Sequence, residues 1–196
     1  MLYSIARTLI ILFLRFFCRF DVTGRENVPK KEGFILASNH LSILDPMVLG
    51  AACPRKLNFM AKYELFKNPL FSRCIRSVGA IPLKRGEADR SALKEGIRRL
   101  KNGAAVVLFP QGSRIPEGDA TAQPGVVFLA FNSGVPIIPA FIKGTDSAMP
   151  KGARFIRPAK IMVSFGKPIS IERRCKPNYQ EAAGDVMSRI RELSCA

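Results

Sequence analysis

Histidine is almost absent from this chain: there is one, His40, in 196 residues. A metal centre built on several histidines is therefore excluded. The five cysteines, at positions 18, 53, 74, 175 and 195, are odd in number, scattered, and form no C-x-x-C pair. That argues against a disulfide framework or a zinc site and fits a reducing cytoplasm. Acidic residues are scarce, 15 against 31 Lys and Arg, for a formal charge of +16. Such a surface attracts anions: nucleic acid, anionic headgroups, or acidic partners. No RRM, KH or helix-turn-helix signature supports nucleic acid. The serine elbow G-x-S-x-G, the P-loop and the G-x-G-x-x-G fingerprint are all missing as well.

A long hydrophobic run is also lacking. The opening stretch "MLYSIARTLIILFLRFFCRF" is apolar, but its longest unbroken run is "LIILFL", between Arg7 and Arg15. That falls short of the ~20 residues a bilayer crossing needs. No small-residue cleavage site follows, so a cleaved signal is not expected. On a helix, Arg15 lies about 80° and Arg19 about 120° from Arg7. Ser4 and Thr8 share that arc, and Leu2, Ile5, Leu9, Leu12, Phe13, Phe16 and Phe20 gather opposite. Ile11 and Cys18 are exceptions within the polar arc. The pattern suits a membrane-interface helix over residues 1–20 with its arginines toward phosphates. Packing of this helix on the domain core is the plainer alternative, and insertion with snorkelling arginines a third.

What is there beyond residue 20 is an alternation of strand and helix patterns, in one domain over 21–196. Apolar residues are 47% of the chain, enough for a core. Strands are expected at 33–38, 57–61, 80–85, 104–109, 135–142 and 160–166. Helices are expected at 43–53, 68–78, 87–103, 125–134 and 178–193. The alternation predicts an α/β fold, a single layered domain with a largely parallel sheet flanked by helices. In such sheets the site lies beyond the carboxyl ends of the strands.

Three polar clusters fall at strand exits: Asn39–His40, Lys84–Arg85 and "PQGSR" at 110–114. An imidazole, with an unperturbed pKa near ~6.5, is the natural general base at neutral pH, and His40 has no competitor. Asp45 has two readings. It can orient the ring through the other nitrogen, if the chain turns between the two residues. It can equally cap a helix that starts at Pro46. Lys84, Arg85 and Arg114 are cations able to grip a phosphate, the arginines in bidentate fashion. Taken singly, each is an ordinary surface charge. Gly112 permits close backbone approach or serves a turn. Gln111 donates and accepts hydrogen bonds but does no proton chemistry.

"NHLSILDPMVL" resembles the N-H-x-x-x-x-D block of the glycerolipid acyltransferases. The chain most resembles the bacterial 1-acyl-sn-glycerol-3-phosphate (lysophosphatidic acid) acyltransferases. "AKYELFKNPLFSRCIRSVGAIPLKR" is similar to the family's second block, with Lys62, Glu64, Leu65, Pro69, Gly79 and Arg85 in order. "LFPQGSR" resembles the third block, F-P-E-G-T/S-R, and "VPIIPAFIKG" the proline-centred fourth. Four blocks in series, from about residue 22 to 170, are a specific signal.

The resemblance implies a glycerol-3-phosphate acyltransferase-like domain and a mechanism. His40, held by Asp45, deprotonates the acceptor hydroxyl, which attacks the thioester of acyl-CoA or acyl-carrier protein. Phosphatidic acid is the product, and no covalent acyl-enzyme forms. Arg85, with Lys84 and Arg114, holds the acceptor phosphate, and Gln111, Gly112 and Ser113 complete the binding block. Val135, Pro136, Ile137, Ile138 and Pro139 line the acyl or donor region. No metal or cofactor is required. The expected partners are a lysophospholipid, the acyl thioester and an anionic membrane surface, not nucleic acid. The expected location is the cytoplasmic face of the cell membrane, peripheral or monotopic through the N-terminal helix, with no oligomeric state implied. Gln111 departs from the family's usual Glu. It leaves room for another lysolipid or an amino-acid-derived lipid as acceptor. A non-catalytic module binding anionic membranes or acyl carriers is the alternative of another class.

Overall fold

The computed structural model describes residues 2–84, 89–112, 122–172, 175 and 177–195. In chain order the elements are α1 (Leu2–Cys18), β1 (Asp21–Thr23), β2 (Phe34–Ser38), α2 (Asp45–Ala52), β3 (Leu57–Lys62), α3 (Pro69–Ser77) and β4 (Ile81–Leu83). Then come α4 (Arg90–Lys101), β5 (Ala105–Leu108), α5 (Gly125–Ser133), β6 (Ile137–Lys143), α6 (Thr145–Ala148), β7 (Met162–Phe165) and α7 (Tyr179–Glu192). Every strand and helix expected beyond residue 32 is present. β1 and α6 add to the expected elements, because three or four residues are too few to carry a period.

The strands form one sheet in the order β1-β7-β6-β2-β5-β3-β4. β2 pairs in parallel with both β5 and β6, and β3 with β4 and β5. The carboxyl ends of these five strands thus share one edge. β7 reverses, pairing antiparallel with β6, and β1, parallel to β7, is reversed with it. The reversal follows a tight corner at Gly144, where φ is +87° and an added Cβ would stand 2.0 Å from the Lys160 carbonyl oxygen. Only glycine fits there.

β2 is buried along its whole length because both faces are covered. Its Phe34 and Leu36 point into a core with Leu14, Cys18, Leu49, Val107 and Ile138, beneath α1 and α2. Its Ile35 and Ala37 point into a second core with Val106, Leu129, Ile137 and Ile190, beneath α4, α5 and α7. Period-2 alternation divides one strand between two layers.

α1 corrects one expectation. Its inward stripe is Arg7, Ile11, Leu14 and Cys18, on the arc expected to face lipid phosphates. Leu14 and Cys18 are buried, which explains why apolar residues stand on that side. Arg7 donates to the carbonyls of Gly50 (3.1 Å), Ala51 (3.1 Å) and Cys53 (2.9 Å). The last turn of a helix leaves carbonyls unpartnered and favours a cation, so Arg7 caps α2 from outside. Ile5, Leu9, Leu12, Phe13 and Phe16 face outward, with Phe16 88% exposed. Among the described residues, no helix is long and apolar enough to cross a membrane.

Candidate active site

β2 delivers the chain to the shared edge, and two neighbouring strands fix the turn beyond it. The Asn39 side chain donates to the Ile142 carbonyl (2.8 Å) and accepts from the Ile142 N–H (2.7 Å), tying the end of β2 to β6. On the other side, the His40 N–H donates to Oε1 of Gln111 at 3.1 Å, just past β5. Gln111 is only 6% exposed. The His40 ring stacks on Phe109, 4.1 Å between centroids and 19° from coplanar. Backbone and ring are therefore both held before any carboxylate is counted.

Asp45 then sets the ring's chemistry. Its Oδ2 lies 2.7 Å from His40 Nδ1 and accepts from the N–H groups of Leu41 (2.6 Å) and Ser42 (2.9 Å). The carboxylate is fully buried and the His40 side chain 12% exposed. An ionised carboxylate only accepts, so the imidazole proton sits on Nδ1 and Nε2 keeps its lone pair. An imidazole so held can take a proton from a hydroxyl placed against Nε2. The helix-cap alternative for Asp45 fails: α2 has no side-chain cap. The carboxylate closes the turn before the helix, not the helix itself. The five-residue gap works because the chain folds back between His40 and α2.

The neighbouring serines have other duties. Ser42 Oγ donates to the Met149 carbonyl (3.1 Å), and Ser38 Oγ to Asn39 Oδ1 (3.3 Å). Gly112 adopts φ +69° and closes a turn by donating its N–H to Phe109 O (2.9 Å). An added Cβ would have ordinary clearance there, so its backbone angle is what calls for glycine. Lys84 lies on the same edge but three strands from β2, about 14 Å at ordinary strand spacing. Its Nζ stands 5.4 Å over the Tyr63 ring. Arg85, Ser113 and Arg114 lie outside the described residues.

Residues 135–139, the start of the fourth block, are not brought to His40, whereas Ile142 of the same block is tied to Asn39. Ile137, Ile138 and Pro139 are strand residues in the sheet centre, with Ile35 opposite Ile137. Val135 and Pro136 start at the far edge, about 20 Å of strand from His40. The contacts of Asn39 and Phe109 carry no mark in the sequence. Each acts across strands, and only strand order reveals the contact. No three His, Cys, Asp or Glu side chains come together as a metal ligand set among the described residues.

The family model of the acyltransferases matches residues 19–143, which spans β1 to β6 and the His40, Asp45 and Gln111 contacts. The chain belongs to the acyltransferase family. It is 32% identical over 149 residues to a 1-acyl-sn-glycerol-3-phosphate acyltransferase of Bacillus subtilis, covering 76% of this chain and 72% of that one. A Streptococcus pneumoniae protein of the same name is 31% identical over 199 residues, covering 97% and 70%. The crystal structure of the 1-acyl-sn-glycerophosphate (LPA) acyltransferase PlsC from Thermotoga maritima superposes with a TM-score of 0.77 at 29% identity, covering 96% and 78%.

Proposed function

We propose that the protein transfers an acyl chain from an acyl thioester to the free hydroxyl of 1-acyl-sn-glycerol-3-phosphate. His40 Nε2 takes the hydroxyl proton, and Asp45 stabilises the imidazolium that forms. The alkoxide oxygen bonds to the thioester carbonyl carbon, the carbon–sulfur bond breaks, and the thiolate leaves with the proton from the imidazolium. The products are phosphatidic acid and a free thiol, with no covalent acyl-enzyme and no metal or cofactor in the step. Arg85, Lys84 and Arg114 are assigned to the acceptor phosphate, with Gly112 and Ser113 beside them. The donor is acyl-CoA or acyl-carrier protein. Residues 1–20 act as a membrane-associating helix and residues 21–196 as the acyltransferase domain. The outward apolar face of α1 rests on an anionic bilayer, which holds the enzyme at its lipid substrate.

One observation carries this reading: the sole histidine is clamped to a buried carboxylate through Nδ1 with Nε2 left to react. Purified protein given acyl-CoA or acyl-carrier protein and a panel of lysophospholipids should form phosphatidic acid with stoichiometric thiol. His40→Ala should lower turnover by ~10²–10⁴-fold, the usual worth of a general base. Thiol release without acylated lipid, or full activity in that variant, would overturn the mechanism. Gln111 supports a second reading, another lysolipid acceptor. An amide offers a hydrogen-bond donor where the family's usual Glu offers only acceptors. The panel decides between them by kcat/KM.

A further inference from the structure

α3 buries none of its residues. A helix of a folded domain ordinarily hides one face. Here the sequence supplies such a face. Leu70, Phe71, Cys74, Ile75 and Val78 fall in an arc of about 140°, with Ser72, Arg73, Arg76 and Ser77 opposite. Of these five the domain half-covers Ile75 and Val78, with Ser72 half-covered beside them. Leu70 is 81% exposed and Phe71 47%. The turn just before α3 adds exposed Tyr63 and Leu65. The exposure is built in, since the Asn68 side chain caps the Phe71 N–H at 3.0 Å and Pro69 sets the first turn.

The charges around this face are of one sign. Lys62, Lys67, Arg73 and Arg76 are exposed, and the one acid between 62 and 78, Glu64, faces Lys62 at 3.9 Å. The location matters too. β3 ends at Lys62 on the edge where β2 and β5 end, so the segment stands beside the His40 site. The loop between β6 and β7 leaves from this same edge and carries Phe155, 81% exposed.

We propose that α3 is a second membrane contact, independent of α1, seated on an anionic bilayer with Leu70 and Phe71 in the acyl boundary. Exposed leucine and phenylalanine ringed by Lys and Arg match the chemistry of anionic lipid, apolar below and phosphate above. An acidic soluble partner would answer the charges but not the leucine. This deepens the acyl-transfer reading and rests on it. The α3 contact stands beside His40, so the active edge is turned toward lipid.

The chain contains no tryptophan, so Leu70→Trp introduces a single reporter. On adding phosphatidylglycerol vesicles its emission should shift to the blue and be quenched by brominated acyl chains. Phosphatidylcholine should act far less. Lys31→Trp, ahead of β2 at the opposite edge, should not respond. The double variant Leu70→Asp, Phe71→Asp should weaken binding to phosphatidylglycerol vesicles at least about tenfold, the worth of one buried leucine. Turnover of a short-chain, monomeric lysophosphatidate should stay at the native rate. An emission shift of the Leu70→Trp reporter that follows protein concentration without lipid would mean a second copy, and overturns the proposal. Equal loss of turnover on monomeric and vesicle substrate would make α3 a wall of the substrate site, and overturns it too. Lipid binding reported by Leu70→Trp with no acylation of any lysolipid leaves the docking standing and removes only the acyl-transfer reading.

Discussion

Three contacts decide how His40 stands: a carboxylate on Nδ1, an amide oxygen on its backbone N–H, and an aromatic ring against its plane. Only the first is legible in the sequence, because His40 is unique and Asp45 is near in the chain. Gln111 is visible as a departure from a family block, yet its bond to His40 joins residues 71 positions apart. The two kinds of contact separate experimentally. Asp45→Asn can keep an oxygen at the one position shared by Nδ1 and the Leu41 and Ser42 N–H groups, but it removes the negative charge that stabilises the imidazolium. The ring then keeps its proton on Nδ1. Turnover should fall by ~10²-fold or more with acceptor KM little changed. The single imidazole in an NMR spectrum should still report the Nδ1–H tautomer. Gln111→Leu should also lower kcat rather than raise KM, and Gln111→Glu, which restores an acceptor for the His40 N–H, should recover most of it. A pure KM effect in Gln111→Leu would assign the residue to substrate instead.

At the scale of elements, long periodic segments are legible in the sequence: α4 and α7 by their stripes, β2 and β5 by continuous apolar runs. Two features are not. β7 reverses against β6 after a connection through α6 whose local mark is Gly144. Arg7 of α1 faces protein, while Ser4, Thr8 and Arg15 stay exposed, because the carbonyls of α2 need partners, a demand written some 45 residues downstream. Arg7→Met keeps a long apolar stem but leaves three carbonyls without their donor. It should cost about 2 kcal/mol, as for hydrogen bonds to a charged group. Melting temperature should drop by several degrees. An unchanged melting temperature would show that water replaces the guanidinium without cost.

For the whole molecule, charge sets the acid limit. Asp89 is held down to about 2, first by the Lys84 N–H and then by the Ser91 hydroxyl and Ala92 N–H. Glu95 is held down to about 2, first by its bonds to Arg98 and then to Arg99. Both folded values lie below the unfolded ones, near 3.8 and 4.5. Their stabilisation is complete above those unfolded values and is lost as pH falls toward about 2. Protonation also removes negative charge from a chain already at +16, so self-repulsion grows in the same window. Melting temperature should hold down to about pH 5 and decline steeply below about pH 4.5. Asp89→Asn should flatten part of that decline and lower the plateau. A slope unaltered by that variant would place the acid sensitivity elsewhere.

The clamp on the end of β2 also bears on biosynthesis. His40 and Asp45 leave the ribosome early, but the turn that joins them is tied to Gln111 and, through Asn39, to Ile142. The Asn39 tie spans 103 positions. Contacts of such separation close late in folding. A nascent chain therefore carries both residues of the pair for roughly a hundred additions before they can be set in place. The clamp on the His40 turn is complete only once β6, and Met149 beyond it, have been made.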